Sequence, residues 1–258
     1  RDMLQNHMLQ LLCLVAMEPP ATLDPDSVRN EKVKVLRSLR PITAADVESR
    51  TVRGQYTGGV SELERVPGYL EESGGHESDT ETFVALRLDI DNWRWAGVPF
   101  YLRTGKRMAE RRTEIVIEFR DVPHSIFPGI SETDLMANRL IISLQPREEI
   151  SMSIMNKVPG IGNDDYSLAP LALNLSLTDA FTKQRTPIAY ERLLLDVIKG
   201  NTTRFVRRDE VEASWEWVDG IIDGWQSRGY KVKSYTAGSW GPSAAIALAE
   251  RNGHSWHE

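Results

Sequence analysis

The sequence contains little cysteine, no excess of positive charge and no long apolar run. Its single cysteine, Cys13, cannot form an internal disulfide, so we expect a reducing compartment such as the cytoplasm. The net charge is −6, from 31 basic and 37 acidic residues. This balance argues against general binding to nucleic acid or to anionic membranes, since both attract basic surfaces. The apolar run from Met8 to Met17 is interrupted by Gln10 and is too short to cross a bilayer.

Motifs for dinucleotides and metals are also missing. No Gly-x-Gly-x-x-Gly follows a predicted strand, and no Gly-x-x-x-x-Gly-Lys-Ser/Thr occurs. The glycine pairs Gly58-Gly59 and Gly74-Gly75 lie in polar segments. No cluster of cysteine, histidine and glutamate suggests a structural metal. We therefore predict neither a dinucleotide site nor a metal site in this chain.

The hydrophobic pattern predicts an α+β fold in the order helices, strands, helices. A helix is predicted over residues 2–17 and another to about residue 39, whereas residues 47–76 are interpreted as loop and irregular structure. Apolar residues then alternate with period two, which indicates strands with one buried face. We expect a large, mostly antiparallel sheet with helices before and after it, packed on one face. Its predicted strands lie near residues 84–90, 100–103, 115–119, 140–144, 150–154 and 171–177.

The first predicted helix carries a polar stripe. On a wheel of about 100° per residue, Asp2, Asn6 and Gln10 share one side, with His7 at its edge. A histidine beside a carboxylate and an amide can accept a proton near neutral pH. A polar helix face with one ordinary histidine is the other interpretation, and periodicity alone favours it.

A basic segment joins two predicted strands. Five basic residues lie within the ten positions from Arg103 to Arg112. Lys106 and Arg111 can supply a point charge and a planar fork of donors to one phosphate. A solvated loop with salt bridges explains the segment equally well. Gln145, at the end of the 140–144 strand, can both donate to and accept from sugar hydroxyls.

Several segments together carry a family resemblance. In this order along nearly the whole chain, they resemble successive segments of the glucose-6-phosphate dehydrogenase family. The segments are Arg1-Asp2-Met3-Leu4-Gln5-Asn6-His7, Leu102-Arg103-Thr104-Gly105-Lys106, Ala189-Tyr190-Glu191-Arg192-Leu193-Leu194-Leu195-Asp196 and Gly238-Ser239-Trp240-Gly241-Pro242.

The resemblance implies that residues 1–258 form the carboxy-terminal domain of such an enzyme, responsible for substrate binding and oligomerisation. The implied reaction oxidises D-glucose 6-phosphate to 6-phospho-D-glucono-1,5-lactone and transfers hydride from C1 to NADP, as the first step of the pentose phosphate pathway. By resemblance, His7 is the general base, Asp2 hydrogen-bonds the sugar, and Lys106, Arg111 and Gln145 are further substrate contacts. The sheet is expected to support a homodimer or homotetramer.

The sequence also departs from the family pattern. These 258 residues do not include a segment that resembles the family's amino-terminal NADP-binding Rossmann domain, nor the His-Tyr-Leu-Gly-Lys segment with the aspartate expected to orient His7. We therefore expect NADP to be bound mainly outside this chain and the isolated chain to be inactive. Relatives with a second, structural NADP use arginines where this chain has Val116 and Ser143, so we predict no such site. A non-catalytic sugar-phosphate-binding or assembly module is the alternative function.

Overall fold

A computed structural model describes residues 2–127, 131, 135–159, 167–176 and 189–258. They divide into two compact units. The first comprises residues 1–109, 187–256 and 258, and the second comprises residues 110–186 and 257. No helix in these described ranges is long and apolar enough to span a membrane.

The described elements follow the predicted order of helices, strands and helices. A π-helical segment, Met3–Met8, leads into the α-helices α1 (Leu9–Ala16), α2 (Pro25–Arg37), α3 (Val47–Arg50), α4 (Tyr69–Glu72), α5 (Ala189–Lys199), α6 (Arg208–Ser227) and α7 (Ser243–Glu250). The strands are β1 (Thr51–Thr57), β2 (Gly59–Ser61), β3 (Glu64–Val66), β4 (Phe83–Asp89), β5 (Pro99–Gly105), β6 (Thr113–Glu118), β7 (Arg139–Gln145), β8 (Glu149–Lys157), β9 (Leu168–Ser176) and β10 (Lys233–Thr236).

The first unit is built on a four-stranded sheet of order β10-β1-β4-β5, in which only the β1–β10 pair is parallel. Strand β4 is buried on both faces. Leu86 and Leu88 pack in a core with α1, α2 and α6, whereas Phe83 and Ala85 pack in a second core with Ala245 of α7. Helices therefore cover both faces of this sheet, which differs from the expected single covered face.

The segment interpreted as loop contains the buried strand β1, so that interpretation is wrong for residues 51–57. The pattern concealed the strand because polar residues occupy buried positions in it. Gln55 donates from Nε2 to the carbonyls of Ser78 and Thr80, both at 2.9 Å. A buried polar side chain is tolerated when distant backbone satisfies it, and that partner lies more than twenty residues away in sequence.

The second unit is an antiparallel sheet of order β6-β7-β8-β9. Residues opposite each other on neighbouring strands point to the same face, and the register therefore separates two unlike faces. The polar face carries Glu114, Ser143, Glu149, Ser151 and Asn174. The apolar face carries Ile115, Ile117, Leu140, Ile142, Ile150, Met152, Ile154, Leu171, Leu173 and Leu175.

The α+β class and the mostly antiparallel pairing are thus confirmed. The strands are distributed over two four-stranded sheets and the β2–β3 pair, where the sequence suggested one large sheet. Leu177, at the end of the last predicted strand, lies outside the described residues.

Candidate functional site

Asp2, Asn6 and His7 lie on the exposed side of the π-helical segment, whereas Leu4 and Gln5 are buried. The hydrogen bonds of a π-helix join residues five apart, which is the spacing of Asp2 and His7. On an α-helix these two side chains would lie about 140° apart. The π-helical segment therefore places them on one face. Within the described part of the chain, the His7 imidazole has no hydrogen-bond or ion-pair partner.

Gln10 does not join this polar stripe as the helical wheel predicted. It is partly buried in a network between helices, where its Nε2 donates to Glu210 at 3.4 Å and its Oε1 accepts from Lys32 at 2.9 Å. Glu210 is fully buried and also accepts from the backbone N–H of Arg207 at 2.9 Å. The network connects α1, which begins two residues after His7, with α2 and α6. Gln10 therefore supports the position of α1 within the fold.

The basic segment separates into paired and unpaired cations. In the first unit, Arg103 bonds Glu258 at 2.8 Å and lies over the rings of Trp240 and Trp256. Arg107 bonds Glu72 at 2.9 Å. These two arginines are therefore anchored within the unit and are not available to a ligand without loss of those contacts.

The second unit contains the other anchored arginine. Arg112 lies 3.3 Å from Glu114 and donates to the carbonyl of His257, whose Nδ1 lies 3.1 Å from Glu114. Lys106 and Arg111 are exposed and have no ion-pair partner among residues 2–127, 131, 135–159, 167–176 and 189–258. The salt-bridged-loop interpretation thus holds for three of the five cations, and the two candidates for phosphate binding remain free.

The candidate residues form two groups, one in each unit. In the first unit, the π-helical segment contacts β5, the strand that leads directly to Lys106. Asp2, His7 and Lys106 are therefore carried by neighbouring elements. The second group comprises Arg111 and Gln145, which are described with the second unit.

Arg111 and Gln145 line a groove of about 600 Å³ on the polar face of the second sheet. Arg112 and three carboxylates, those of Glu110, Glu114 and Glu149, also line it. The groove therefore carries both positive and negative side chains. Binding of a phosphate there would depend on direct contact with Arg111. Sequence patterns did not predict this groove, because it is formed by side chains from four segments of the chain.

The positions Val116 and Ser143 lie on this same polar face. Ser143 lines the groove with a neutral hydroxyl. Neither of these two positions supplies an arginine to a nucleotide phosphate. The absence of a structural NADP site stays a prediction, and this charge pattern supports it.

The two glycine pairs lie outside the setting that dinucleotide-binding turns require. Gly58-Gly59 joins β1 to β2, and Gly74-Gly75 follows α4 with positive φ at both residues. A dinucleotide pyrophosphate needs a glycine-rich turn that leads from a strand into the N-terminus of a helix. Neither pair has that setting, so neither supplies such a turn, and the absence of a dinucleotide site stays a prediction.

Comparison with known proteins shows which family the chain resembles. The family model described as "Glucose-6-phosphate dehydrogenase, C-terminal domain" matches residues 1–257. The chain is 57% identical over 258 residues to glucose-6-phosphate 1-dehydrogenase of Rhizobium meliloti (strain 1021), of which it covers 52%. It is 55% identical over 258 residues to the enzyme of that name from Zymomonas mobilis subsp. mobilis (strain ATCC 31821 / ZM4 / CP4), of which it covers 53%. All of this chain is covered in both matches.

A solved structure titled "Glucose-6-phosphate dehydrogenase in complex with its substrate glucose-6-phosphate" superimposes with a TM-score of 0.85 at 34% identity. That match covers 100% of this chain and 51% of the other. The chain thus spans about half the length of the curated relatives it matches. It belongs to the family of glucose-6-phosphate dehydrogenase C-terminal domains.

Proposed function

We propose that this chain is the substrate-binding and oligomerisation part of a glucose-6-phosphate dehydrogenase. The reaction is oxidation of D-glucose 6-phosphate to 6-phospho-D-glucono-1,5-lactone with NADP, the first step of the pentose phosphate pathway. One observation carries the proposal. The residues that the family resemblance singles out, Asp2, His7, Lys106, Arg111 and Gln145, are all exposed, and the two cations among them have no partner in the described structure.

His7 would act as the general base. Its imidazole takes the proton of the C1 hydroxyl while C1 loses a hydride, and the C1–O bond becomes the lactone carbonyl. Asp2, on the same face of the π-helical segment, would accept a hydrogen bond from the sugar and fix its orientation. Positioning of the C1 hydroxyl against a free imidazole is the contribution of this surface to the rate.

The remaining candidates, Lys106 in the first unit and Arg111 and Gln145 in the second, would supply the contacts to the phosphate and to the other hydroxyls. Lys106 supplies a compact positive charge and Arg111 a planar fork, and both suit the phosphate dianion. Gln145 can donate to and accept from a sugar hydroxyl. These contacts account for a preference for phosphorylated over free glucose, because the free sugar offers no anion to the two cations.

The coenzyme is the hydride acceptor, and we propose that NADP is bound mainly by an amino-terminal domain outside these residues. The absence of a strand-turn-helix setting at both glycine pairs supports this assignment. We expect the 258-residue chain alone to turn over no substrate. Its single, buried cysteine supports a reducing compartment, and we propose the cytoplasm.

We further propose a homodimer or homotetramer through the second sheet. Leu171, Leu173 and Leu175 of β9 are 46%, 52% and 54% exposed on the apolar face. Contiguous exposed apolar surface of this kind is typical of a protein interface. Leu173→Asp should lower the mass measured by analytical ultracentrifugation, whereas Asn174→Asp on the polar face should not. An unchanged mass for both variants would contradict the interface.

The test of activity uses the complete enzyme that contains this chain. His7→Asn should lower kcat by about 10² to 10⁴, the usual contribution of a general base, with a small change in KM. Lys106→Ala should raise KM for glucose 6-phosphate by about 10- to 100-fold, since a charge-assisted contact contributes about 1.5–3 kcal/mol.

Lys231→Ala is the matched control, because Lys231 is an exposed lysine of the same unit that pairs with Asp79. Its kinetics should stay unchanged. A folded complete protein that binds glucose 6-phosphate without reducing NADP would refute the proposed activity and favour the non-catalytic alternative.

A further inference from the structure

The backbone of Lys106 is fixed on both of its sides. Its N–H donates to the carbonyl of Thr82 at 2.8 Å. Its carbonyl accepts from the hydroxyl of Tyr235 at 2.7 Å. The side chain is exposed and unpaired in the described structure. An exposed ammonium group is thus carried by a backbone that is hydrogen-bonded on both of its sides.

The hydroxyl of Tyr235 is itself held in one place. Tyr235 lies on β10, is 5% exposed, and packs its ring against Phe83 at 5.5 Å and against Tyr56 at 6.3 Å between centroids. The hydroxyl of Thr82 lies 3.2 Å from that of Tyr235. A tyrosine has one hydroxyl proton, and we assign it to the shorter contact, in which Tyr235 donates to the carbonyl of Lys106. The Thr82 hydroxyl then donates to the oxygen of Tyr235. Burial raises the pKa of Tyr235 to about 12, so the proton is present throughout the physiological range.

The next residue is anchored separately. Arg107 has φ +51°, a left-handed conformation that non-glycine residues seldom adopt. Its carbonyl accepts from the N–H of Gly238 at 2.8 Å, and its guanidinium bonds Glu72, which also accepts from the hydroxyl of Tyr56. This second anchor holds the left-handed residue and neutralises its charge. Lys106 is left as the free cation of the turn.

Gly105 completes the turn on the other side. A Cβ at Gly105 would lie 2.7 Å from the Phe83 ring and 2.8 Å from the sulfur of Met108. The chain can therefore approach Phe83 closely only with glycine at this position. Close packing before Lys106 and two anchors after it leave its backbone little freedom to move.

We propose that Tyr235 is a positioning residue for the substrate phosphate, which it serves by fixing the backbone from which Lys106 extends. The inference rests on the proposed function, since it assumes that Lys106 contacts the phosphate. Tyr235 touches no substrate atom. Its loss should therefore weaken ground-state and transition-state binding alike and should change KM while kcat stays nearly constant.

The experiment measures steady-state kinetics of the complete enzyme with glucose 6-phosphate. Tyr235→Phe keeps the ring and removes only the hydroxyl. KM should rise about 3- to 10-fold, the effect of one hydrogen bond, with kcat within about twofold. Tyr230→Phe is the matched control, because its hydroxyl also donates to a backbone carbonyl, that of Thr51 at 3.3 Å, away from the turn. Its KM should be unchanged.

A double-mutant cycle separates positioning from a general structural effect. With Lys106→Ala already present, Tyr235→Phe should change KM by less than about twofold, because the group it positions is gone. If the KM effect of Tyr235→Phe persists in that background, or equals that of Tyr230→Phe, the positioning role of Tyr235 is refuted and the proposed function is left intact. If Lys106→Ala leaves KM unchanged, the phosphate contact of the proposed function fails first, and the inference fails with it.

A second pair of variants covers the case in which Tyr235→Phe does not fold. Thr82→Val removes the hydroxyl that fixes Tyr235, and Thr82→Ser retains it. KM should rise in the valine variant and return towards the wild-type value in the serine variant. Equal KM values for the two variants would refute the positioning role.

Discussion

Glu210 is the residue whose removal should most clearly test how α1 is held in place. Glu210→Ala deletes a fully buried carboxylate at the first turn of α6. The backbone N–H of Arg207 loses an acceptor at 2.9 Å, and Gln10 loses one at 3.4 Å. Lys32 then remains bonded to an amide that no longer connects to α6.

The magnitude follows from these contacts. A hydrogen bond to a charged acceptor contributes about 1.5–3 kcal/mol, whereas the contact at 3.4 Å exceeds the usual N–H···O range and adds little. A carboxylate in the first turn of a helix adds roughly 0.3–1 kcal/mol through the helix dipole. Relief of carboxylate desolvation acts in the opposite direction. We expect a net loss of about 2–3 kcal/mol, which lowers Tm by roughly 5–10 °C for a unit of this size.

Urea unfolding followed by tryptophan fluorescence is the suitable assay. All seven tryptophans lie in the first unit, so the signal reports the unit that contains Glu210 even if the two units unfold separately. Glu212→Ala is the control on the same helix, because its ion pair with Arg208 is exposed and should contribute less than about 0.5 kcal/mol. Equal stability of the two variants would refute the structural role of Glu210.

Three further predictions concern other parts of the first unit. Burial raises the pKa of the Cys13 thiol to about 12, so iodoacetamide at pH 8 should modify it only at the rate of unfolding, and prompt labelling of the folded protein would contradict its burial. Hydrogen bonds from Ser27 and Thr22 lower the pKa of Asp24, the N-cap of α2. Its stabilisation should be present above about pH 4 and be lost as pH falls through the lower folded pKa. The Tm difference between wild type and Asp24→Ala should therefore disappear in acid, and a constant difference would contradict the linkage. Leu88→Ala should cost about 2–5 kcal/mol in urea unfolding, and a loss as small as that of the exposed Leu23→Ala would show that β4 is not a core strand.

The sequence determined those elements whose pattern is local. Period-two alternation placed β4 and β6 to β9 within a few residues, because a half-buried strand repeats its environment every second residue. The helix predicted over residues 2–17 precedes Pro19-Pro20, and because proline cannot continue a helix the prediction placed its end within one residue of the observed Ala16. The sequence offered Asp26 or Ser27 as the N-cap of α2, whereas the structure uses Asp24, whose side chain accepts from the N–H groups of Asp26 and Ser27.

The amino-acid composition of the basic segment did not decide between an anion-binding site and a salt-bridged loop. Five nearby cations indicated an anion site and a salt-bridged loop equally well. The decision came from partners distant in sequence, Glu72 for Arg107 and Glu258 for Arg103. Only their positions in the fold determine which cations are neutralised and which, like Lys106, stay free.

The residues of the candidate site could therefore be named from the sequence and its family resemblance, whereas their arrangement depended on the tertiary structure. Strand β1 was missed because buried polar residues such as Gln55 are satisfied by backbone far along the chain. The helical wheel assigned Gln10 to the face of Asp2, because it assumes α-helical spacing and takes no account of contacts with distant residues such as Glu210. Local periodicity reports which side of an element is apolar, but a hydrogen bond or ion pair between distant residues forms only when folding brings them together, and these contacts decide which side chains remain available for chemistry.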